Sequence, residues 1–287
     1  MKKIQSLYFS ATGTTRRIVT TVEAHSGLPA VRSIDLTLPA SRAAFQGNVD
    51  GDVMLVAAPV YHGTIPLPMM DPLGKLEGAG KWAVPIAVFG NRSPETCVEE
   101  LAELLRSRGF KILAAASFAA EHSMCTMEHP WGLGRPDETD LATAAEFGEK
   151  IGKKLVAEPS EVQTGKQLFD FLASAYTNFS SRVMADSLSE GYHENLSHWI
   201  KASTTISFSR ESECTECMLC SESCPTGAMD VGSKSVIEDL CIRCMACIHT
   251  CSRGAIALQS FDSPMAVAVQ RSVDQACAVR KEPSILL

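Results

Sequence analysis

Eight of the eleven cysteines fall in two copies of one spacing. Residues 214–224 read CTECMLCSESC and residues 241–251 read CIRCMACIHTC, so each cysteine of the first copy recurs 27 positions later. A Gly-Ala pair recurs in step, beginning at Gly227 and at Gly254. A repeat that keeps its cysteines while its other residues change indicates two equivalent inorganic sites.

The cysteine spacing distinguishes between the kinds of site that cysteines can form. Zinc sites are built from two CxxC pairs, and a disulfide framework is a further alternative. Here each copy adds a third cysteine at the next x2 position and a fourth after x3, which a zinc ion does not need. The pattern C-x2-C-x2-C-x3-C is that of bacterial ferredoxins, where three thiolates and a remote fourth hold a [4Fe-4S] cluster.

Residues 210–261 therefore resemble a bacterial ferredoxin with two [4Fe-4S] clusters. The resemblance implies a small α+β domain, single-electron transfer at low potential, and a fourth cysteine that crosses to the other cluster. Pro225 follows Cys224 as in ferredoxins, whereas Ser252 follows Cys251 where a second proline is common. The implied ligands are Cys214, Cys217, Cys220 and Cys251 for one cluster, and Cys241, Cys244, Cys247 and Cys224 for the other.

A second candidate site begins after the first apolar run. Residues 10–15 read SATGTT, between a predicted strand and a predicted helix. A helix N-terminus offers unpaired N–H groups, and hydroxyl side chains beside a glycine let the backbone wrap around a phosphate. The alternative is an ordinary capped helix, because Ser and Thr are common N-caps. No G-x-G-x-x-G motif occurs, and Trp82 follows Gly80-Lys81 where a Walker A motif requires Ser or Thr.

Two further loops follow predicted strands. Residues 59–66 read PVYHGTIP after the third strand, and residues 89–93 read FGNRS after the fourth. Because parallel strands present their carboxyl ends at one edge of a sheet, the three loops are expected to converge on one crevice.

Residues 1–156 resemble a flavodoxin, since S-x-T-G-x-T is similar to the flavodoxin loop that binds the FMN phosphate. The resemblance implies that Tyr61 or His62 stacks on or flanks the flavin ring, that a peptide of the Tyr61 to Thr64 segment faces flavin N5, and that Asn91 and Arg92 bond its pyrimidine edge. The implied FMN-binding residues are Ser10, Thr12, Gly13, Thr14, Thr15, Pro59, Val60, Tyr61, His62, Gly63, Thr64, Gly90, Asn91 and Arg92.

The elements that must position these loops alternate along the chain. Five short apolar runs separated by amphipathic stretches predict an α/β domain with a doubly wound, five-stranded parallel sheet, the flavodoxin-like fold class. The predicted strands are Ile4–Ser10, Val31–Leu36, Val53–Pro59, Ala83–Gly90 and Ile112–Glu121. The predicted helices are Thr14–Ala24, Met69–Leu76, Pro94–Ser107 and Thr139–Val156.

The segment between the two candidate domains, residues 157–209, is predicted to be a helical linker or docking segment. Its apolar spacing predicts an amphipathic helix over 167–188 and a shorter one around 193–201. The tail, residues 262–287, has an apolar alternation that suggests a docked strand. Residues 121–137 are expected either to cover the flavin or contact the second domain, or to form a rigid loop around Trp131.

Charge and composition exclude some functions. Residues 1–155 carry 16 Lys+Arg against 17 Asp+Glu, and residues 156–287 carry 10 against 16, which disfavours nucleic acid and leaves an acidic surface that a basic redox partner would suit. No apolar run approaches the roughly 20 residues of a membrane span, and the start, MKKIQSLYFS, does not read as a signal peptide. The expectation is a cytoplasmic protein in a reducing compartment, with Cys97, Cys125 and Cys277 as free or buried thiols.

The whole chain resembles the flavodoxin-ferredoxin fusions of anaerobic microbes. The resemblance implies an electron-transfer protein that relays low-potential electrons between FMN, two [4Fe-4S] clusters and a redox partner protein, with no catalytic side chains of its own. The alternative is a flavoenzyme that reduces a small organic acceptor at FMN N5, with His62, His122 or Tyr61 supplying a proton. A redox sensor without turnover is a third interpretation, and a homodimer is one possible assembly.

Overall fold

The computed structural model of the protein describes residues 1–157, 159–162, 201, 204–260 and 264–287. Apart from residue 201, the helices predicted over 167–188 and around 193–201 lie outside these residues, as does most of the predicted linker.

A central sheet lies within the N-terminal part of the chain. Its strands among the described residues are β1 (Ile4–Tyr8), β2 (Ile34–Asp35), β3 (Val53–Pro59), β4 (Trp82–Phe89), β5 (Lys111–Ile112), β6 (Ala115–Ala119) and, from the C-terminal tail, β11 (Ser284–Leu286). Five of them form the parallel order β2-β1-β3-β4-β6. This is the flavodoxin-like strand order 2-1-3-4-5, which confirms the predicted fold class.

The sheet is larger than predicted. The fifth predicted strand is divided into β5 and β6, and both pair with β4. The tail adds β11, which pairs antiparallel with β6, so a docked strand is present at the last residues, whereas the Ala-Val stretch that suggested it lies in a helix, Pro264–Cys277.

Helices cover both faces of this sheet. The helices of the described residues are α1 (Thr14–His25), α2 (Pro39–Ala44), α3 (Leu67–Gly74), α4 (Cys97–Ser107), α5 (Glu138–Val156), α6 (Leu219–Glu222), α7 (Ala246–Thr250) and α8 (Pro264–Cys277). Neighbouring residues of a strand point to opposite faces, so in β3 Leu55 packs in the core under α1 and α5, and Val56 packs in the core under α3 and α4.

Two glycines let α1 and α5 meet backbone to backbone. A Cβ atom at Gly152 would lie 1.8 Å from the carbonyl oxygen of Ser26, and one at Gly148 would lie 2.3 Å from that of Val22. This close contact fixes the position of α1, the helix that begins at the loop of residues 10–15.

The cysteine region is a small α+β unit, as predicted for a ferredoxin-like domain. Strands β7 (Thr204–Ser207) and β10 (Ala257–Ser260) form one antiparallel pair, and β8 (Met229–Asp230) and β9 (Ser235–Val236) form another. The short helices α6 and α7 each begin inside one copy of the cysteine repeat. No helix in the described parts of the chain is long and apolar enough to cross a membrane.

Candidate functional site

Cysteines of both repeat copies line each of two pockets. One pocket, here called the outer pocket, encloses about 370 Å³ including open solvent, and the other, the inner pocket, about 280 Å³. The cysteines of the outer pocket are Cys214, Cys217, Cys220 and Cys251, and those of the inner pocket are Cys241, Cys244, Cys247 and Cys224. The structure thus brings together the two crossed sets implied by the ferredoxin resemblance. No group of three Cys, His, Asp or Glu side chains that would hold a single metal ion occurs in the described residues.

The two copies wrap their pockets with the same backbone. Glu216 and Arg243, at equivalent positions, have φ of 54° and 55°, and Met218 and Met245 both have φ of 65°. Left-handed residues alternating with ordinary ones turn successive N–H groups inwards, which makes a concave site for a negatively charged group. This is the arrangement that a cluster of iron, sulfide and thiolates requires.

The recurring Gly-Ala pair has a structural role that the sequence did not reveal. Gly227 and Gly254 have φ of 69° and 62°, a region that favours glycine. The turn that follows directs the N–H of Ala228 to Cys224 Sγ at 3.2 Å, and the N–H of Ala255 to Cys251 Sγ at 3.3 Å. Each remote cysteine therefore receives a backbone hydrogen bond to its sulfur.

Burial affects the chemistry of the inner thiols. It is the main cause that raises the pKa of Cys244 and of Cys247 to about 12, and the neighbouring cysteines of the pocket add to it. Bare thiols here stay protonated at neutral pH, so metal binding must release their protons.

The two copies differ in exposure although their spacing is identical. Met218 is 45% exposed and Leu219 is 46% exposed, whereas the equivalent Met245 and Ala246 are 2% and 1% exposed. Cys217 is exposed and its equivalent, Cys244, is buried.

The N-terminal domain accounts for this difference. Ile242 packs against the hydrophobic core that contains α3 and α4, and Arg42 donates a hydrogen bond to the carbonyl oxygen of Pro225. Tyr61 contacts Phe9 edge-on, with ring centroids 6.3 Å apart, and it lies near Cys244. Burial raises the pKa of Tyr61 well above its ordinary value, and Cys244 raises it further. The inner pocket therefore lies against the loop that follows β3.

The loop after β1 has the features of a phosphate site. Gly13 is the N-cap of α1 with φ of 90°, and as a glycine it has no side chain to cap the helix. The Thr15 hydroxyl is buried and has no hydrogen-bond partner within the described residues, and no atom lies within 4 Å of a Cβ added to Gly13. A phosphate group would satisfy this hydroxyl and the open N–H groups of the first turn. The Ser10 hydroxyl accepts from the N–H of Arg16 at 3.0 Å and so stabilises the loop itself.

The loop after β3 is a tight turn. Tyr61 and Thr64 exchange two backbone hydrogen bonds of 3.1 Å, and the central residues His62 and Gly63 have φ of 53° and 81°. Two positive φ angles define a turn whose central peptide has glycine at one side. The Thr64 hydroxyl donates to Glu100, and the N–H of Val60 donates to Val88 at 2.9 Å, so both ends of the turn are fixed.

The loop after β4 differs from its prediction. The Asn91 amide nitrogen donates to the carbonyl oxygens of Cys277 at 3.1 Å and Val279 at 3.3 Å. Its oxygen accepts from Arg135 at 2.9 Å and from the N–H of Lys281 at 3.0 Å. All four hydrogen-bonding positions of this side chain are used within the chain. The structure therefore gives Asn91 a different role from the predicted one at a flavin edge: it fastens the tail.

The residues on either side of Asn91 in the sequence also make contacts within the chain. Arg92 pairs with the buried carboxylate of Glu95 at 2.5 Å. Gly90 is required by close packing, because a Cβ atom there would lie 2.4 Å from His122 Cδ2. Burial, with Arg92 nearby, lowers the pKa of His122 to about 4, and its Nδ1 accepts from the N–H of Met124 at 3.2 Å. His122 is therefore neutral at pH 7.

The tail packs on the loop that follows β6, which sequence reasoning missed. The Asp274 carboxylate in α8 accepts from Trp131 Nε1 at 2.9 Å and lies 3.1 Å from His129 Nδ1. Arg280 bonds Asp137 at 2.7 Å and Asp140 at 3.0 Å. The tail carries six charged residues, and nothing in their spacing marked Asp274 and Arg280 as the ones that make these contacts.

Comparisons with known proteins give one family match and several similar solved structures. Residues 207–252 match the family model of the 4Fe-4S dicluster domain. A flavodoxin from the domain Archaea is similar over 54% of this chain and 99% of its own, at 15% identity and a TM-score of 0.40. A Megasphaera elsdenii flavodoxin matches 52% of this chain and 98% of its own, at 19% identity and a TM-score of 0.35.

A larger protein also matches about half of the chain. The rubredoxin oxygen:oxidoreductase from the anaerobe Desulfovibrio gigas is similar over 55% of this chain and 37% of its own, at 16% identity and a TM-score of 0.42. A search of curated proteins finds no match.

The chain therefore joins a flavodoxin-like α/β fold, defined by its strand order, to a 4Fe-4S dicluster domain. This confirms the predicted combination of a flavodoxin-like and a ferredoxin-type domain and indicates a redox protein.

Proposed function

We propose that the chain is an electron-transfer protein that relays low-potential electrons between FMN, two [4Fe-4S] clusters and a redox partner protein. FMN accepts one or two electrons and each cluster passes one, so together they link single-electron and two-electron chemistry. In this proposal the eight repeat cysteines ligate the clusters in the two crossed sets.

The closeness of the inner pocket to the turn after β3 carries the proposal. Tyr61 belongs to that turn and lies near Cys244, a cysteine of the inner pocket. Ile242 buries the same side of the pocket against the N-terminal core. A cluster held there would be next to the crevice in which the resemblance places the flavin.

The flavin would be held by the chain's own polar groups. Thr15 offers a buried hydroxyl without a partner in the described residues, and Gly13 leaves space for a phosphate beside the first turn of α1. The turn at His62 and Gly63 would present its backbone to the ring, and Tyr61 in the same turn packs edge-on against Phe9. Asn91 holds the wall of this crevice through the tail instead of contacting the ring.

The outer pocket is the proposed contact for the partner. Cys217, Met218 and Leu219 are exposed beside the acidic side chains of Glu216 and Glu222. These exposed apolar residues, with Glu216 and Glu222 beside them and Arg253 in the pocket lining, would fit a redox protein whose basic side chains pair with the two glutamates, because complementary charge speeds association and orients the partner.

The remaining predictions become part of the proposal. It places the FMN domain in residues 1–156, a linker or docking segment in 157–209, the cluster domain in 210–261 and the tail in 262–287. A cytoplasmic location follows from the cofactors' need for a reducing compartment. A homodimer stays a prediction.

The flavoenzyme alternative loses one of its candidate proton donors. His122 is half-buried and neutral, with a pKa of about 4, and a neutral imidazole is a poor acid at pH 7.

Purification in the absence of oxygen tests the proposal. Two clusters require about eight irons and eight sulfides per chain, with one released FMN. Reduction of the full chain by a low-potential donor should then reach the flavin, and Cys244→Ala should slow this step while Cys125→Ala, outside the repeat, should not. A colourless, zinc-loaded protein would refute the cluster assignment, and a cluster-loaded protein without flavin would refute the relay.

A further inference from the structure

The two repeat copies place opposite charges at one equivalent position. Glu216 directly precedes the second cysteine of copy one and is exposed. Arg243 directly precedes the second cysteine of copy two and is 2% exposed. Both residues have the same left-handed backbone, with φ of 54° and 55°. The difference between the copies is therefore one of charge and burial, not of chain path.

Arg243 is a buried cation between two cysteines of the inner pocket, Cys241 and Cys244, and is not itself part of the pocket lining. Its Nη2 donates to Glu238 and to the carbonyl oxygen of Thr204 at 2.9 Å. Its Nε and Nη1 are buried and have no hydrogen-bond partner in the described parts of the chain. A guanidinium stays protonated in proteins, so this buried group carries a positive charge.

The guanidinium therefore carries unused donors in the chain segment between two proposed cluster ligands, Cys241 and Cys244. A thiolate of a bound cluster is an acceptor that would satisfy them, and hydrogen bonds and positive charge near the sulfurs favour the reduced, more negative cluster. Burial acts in the opposite direction, because a low-dielectric environment disfavours added negative charge.

Other nearby charges do not cancel this effect. Glu238 pairs with Arg243 but is half-exposed, so solvent screens it more than the cation. At the outer pocket the cation is Arg253, which is mostly exposed and 3.6 Å from Glu213. Screened, exposed pairs contribute little.

We propose that Arg243 raises the reduction potential of the inner cluster and so offsets the effect of its burial, which lets an electron that enters at the exposed outer pocket move inwards. The proposal rests on the cluster part of the proposed function. In this proposal Arg243 acts indirectly, by stabilising negative charge on the proposed ligand Cys241.

A redox titration of the full chain, monitored by electron paramagnetic resonance without oxygen, tests the proposal. Cys217→Ala, which removes an exposed outer ligand, identifies the outer signal. Arg243→Gln should lower the ratio of reduced to oxidised inner cluster at a fixed potential about tenfold, equivalent to 59 mV for one electron. Arg243→Lys, which keeps the charge, should retain most of the wild-type ratio.

Two matched variants separate charge from structural damage. Glu216→Gln changes one charge at the equivalent exposed position and should leave the outer signal unchanged. Glu238→Gln breaks the ion pair but keeps the cation, so it should raise the inner ratio, whereas loosening of the pocket would lower it.

The outcomes distinguish the inference from the proposed function. An unchanged inner signal in Arg243→Gln, or an unchanged or lower inner ratio in Glu238→Gln, overturns the role of Arg243 and leaves the relay standing. If Arg243→Gln loses iron, the Glu238→Gln result alone decides. Absence of cluster signals from the wild-type protein overturns both.

Discussion

Thr15 places a hydroxyl group where the described protein offers it no hydrogen-bond partner. We expect Thr15→Val to weaken FMN binding about ten- to hundredfold, since a hydrogen bond to a charged group contributes about 1.5–3 kcal/mol. Without flavin the variant should be at least as stable as the wild type, because valine removes an unpaired buried hydroxyl of the same shape. Flavin titration by fluorescence quenching measures the first effect and thermal unfolding the second.

Thr20 in the same helix supplies the control. Its hydroxyl is exposed and bonds to the carbonyl oxygen of Arg16 at 2.7 Å, so Thr20→Val should bind flavin normally. Wild-type affinity in Thr15→Val would remove this threonine from the phosphate site.

Glu99 makes stability depend on pH. Both carboxylate oxygens are buried without partners among the described residues, and burial, helped by Glu100 and Glu103, raises its pKa to about 7. The unfolded chain ionises near the ordinary value of 4.5, so the folded state loses stability as pH rises from there to about 7.

Glu99→Gln should therefore raise the unfolding temperature at pH 8 and leave it nearly unchanged at pH 4. The gain is on the order of 3 kcal/mol, from the pKa difference at about 1.4 kcal/mol per unit. Glu146→Gln, on the exposed face of α5, is the control and should show no such trend. An equal shift of Glu99→Gln at both pH values would contradict a buried, protonated carboxyl group.

Sequence reasoning located ligand-type residues where chemistry restricts both residue type and spacing. The crossed cysteine sets line the two pockets of the structure, and they were predictable because a [4Fe-4S] site restricts its ligands to thiols at those intervals. Asn91 shows the opposite case, since its side chain binds backbone 186 residues away, and no local pattern encodes that contact.

At the scale of elements, the contact between α1 and α5 depends on a missing side chain. Gly152→Ala should destabilise the protein by about 1–3 kcal/mol, because its Cβ would overlap the Ser26 carbonyl. Helix propensity alone would favour alanine by about 1 kcal/mol, so the sign of the change identifies the cause. Urea unfolding of the flavin-free protein measures it.

Gly74 in α3 is the matched glycine. An added Cβ there has no atom within 4 Å, so Gly74→Ala should be neutral or stabilising. Stabilisation by Gly152→Ala would mean that the two helices are further apart than described.

The prediction of an element succeeded where all its residues are buried, and it failed where only one face of the element is packed. Strand β3 has the predicted ends, Val53 and Pro59, because every residue in it is buried. Helix α8 was missed because its Ala-Val alternation is typical of a strand. Its buried residues Ala266 and Ala276 are about three helical turns apart, and this period became visible only with the surface it covers.

At the scale of the whole molecule, docking of the two domains should make the clusters unequal in lifetime. An iron chelator acting on the isolated, mildly oxidised protein should remove about half of the iron quickly, through the exposed Cys217 side, and the rest slowly. Iron release followed by absorbance checks this. Tyr61→Ala, which opens the contact with the inner pocket, should accelerate the slow phase only, and release in one phase would contradict the asymmetry.

The tail strand β11 has a consequence for handling the protein in concentrated solution. It occupies the open side of β6, while β2 at the opposite margin has only two paired residues, so the sheet presents little free backbone to another molecule. Peeling the tail away would release this margin together with the anchor at Asn91. Release of the tail is therefore expected to cause both aggregation of the protein and weaker binding at the proposed flavin site.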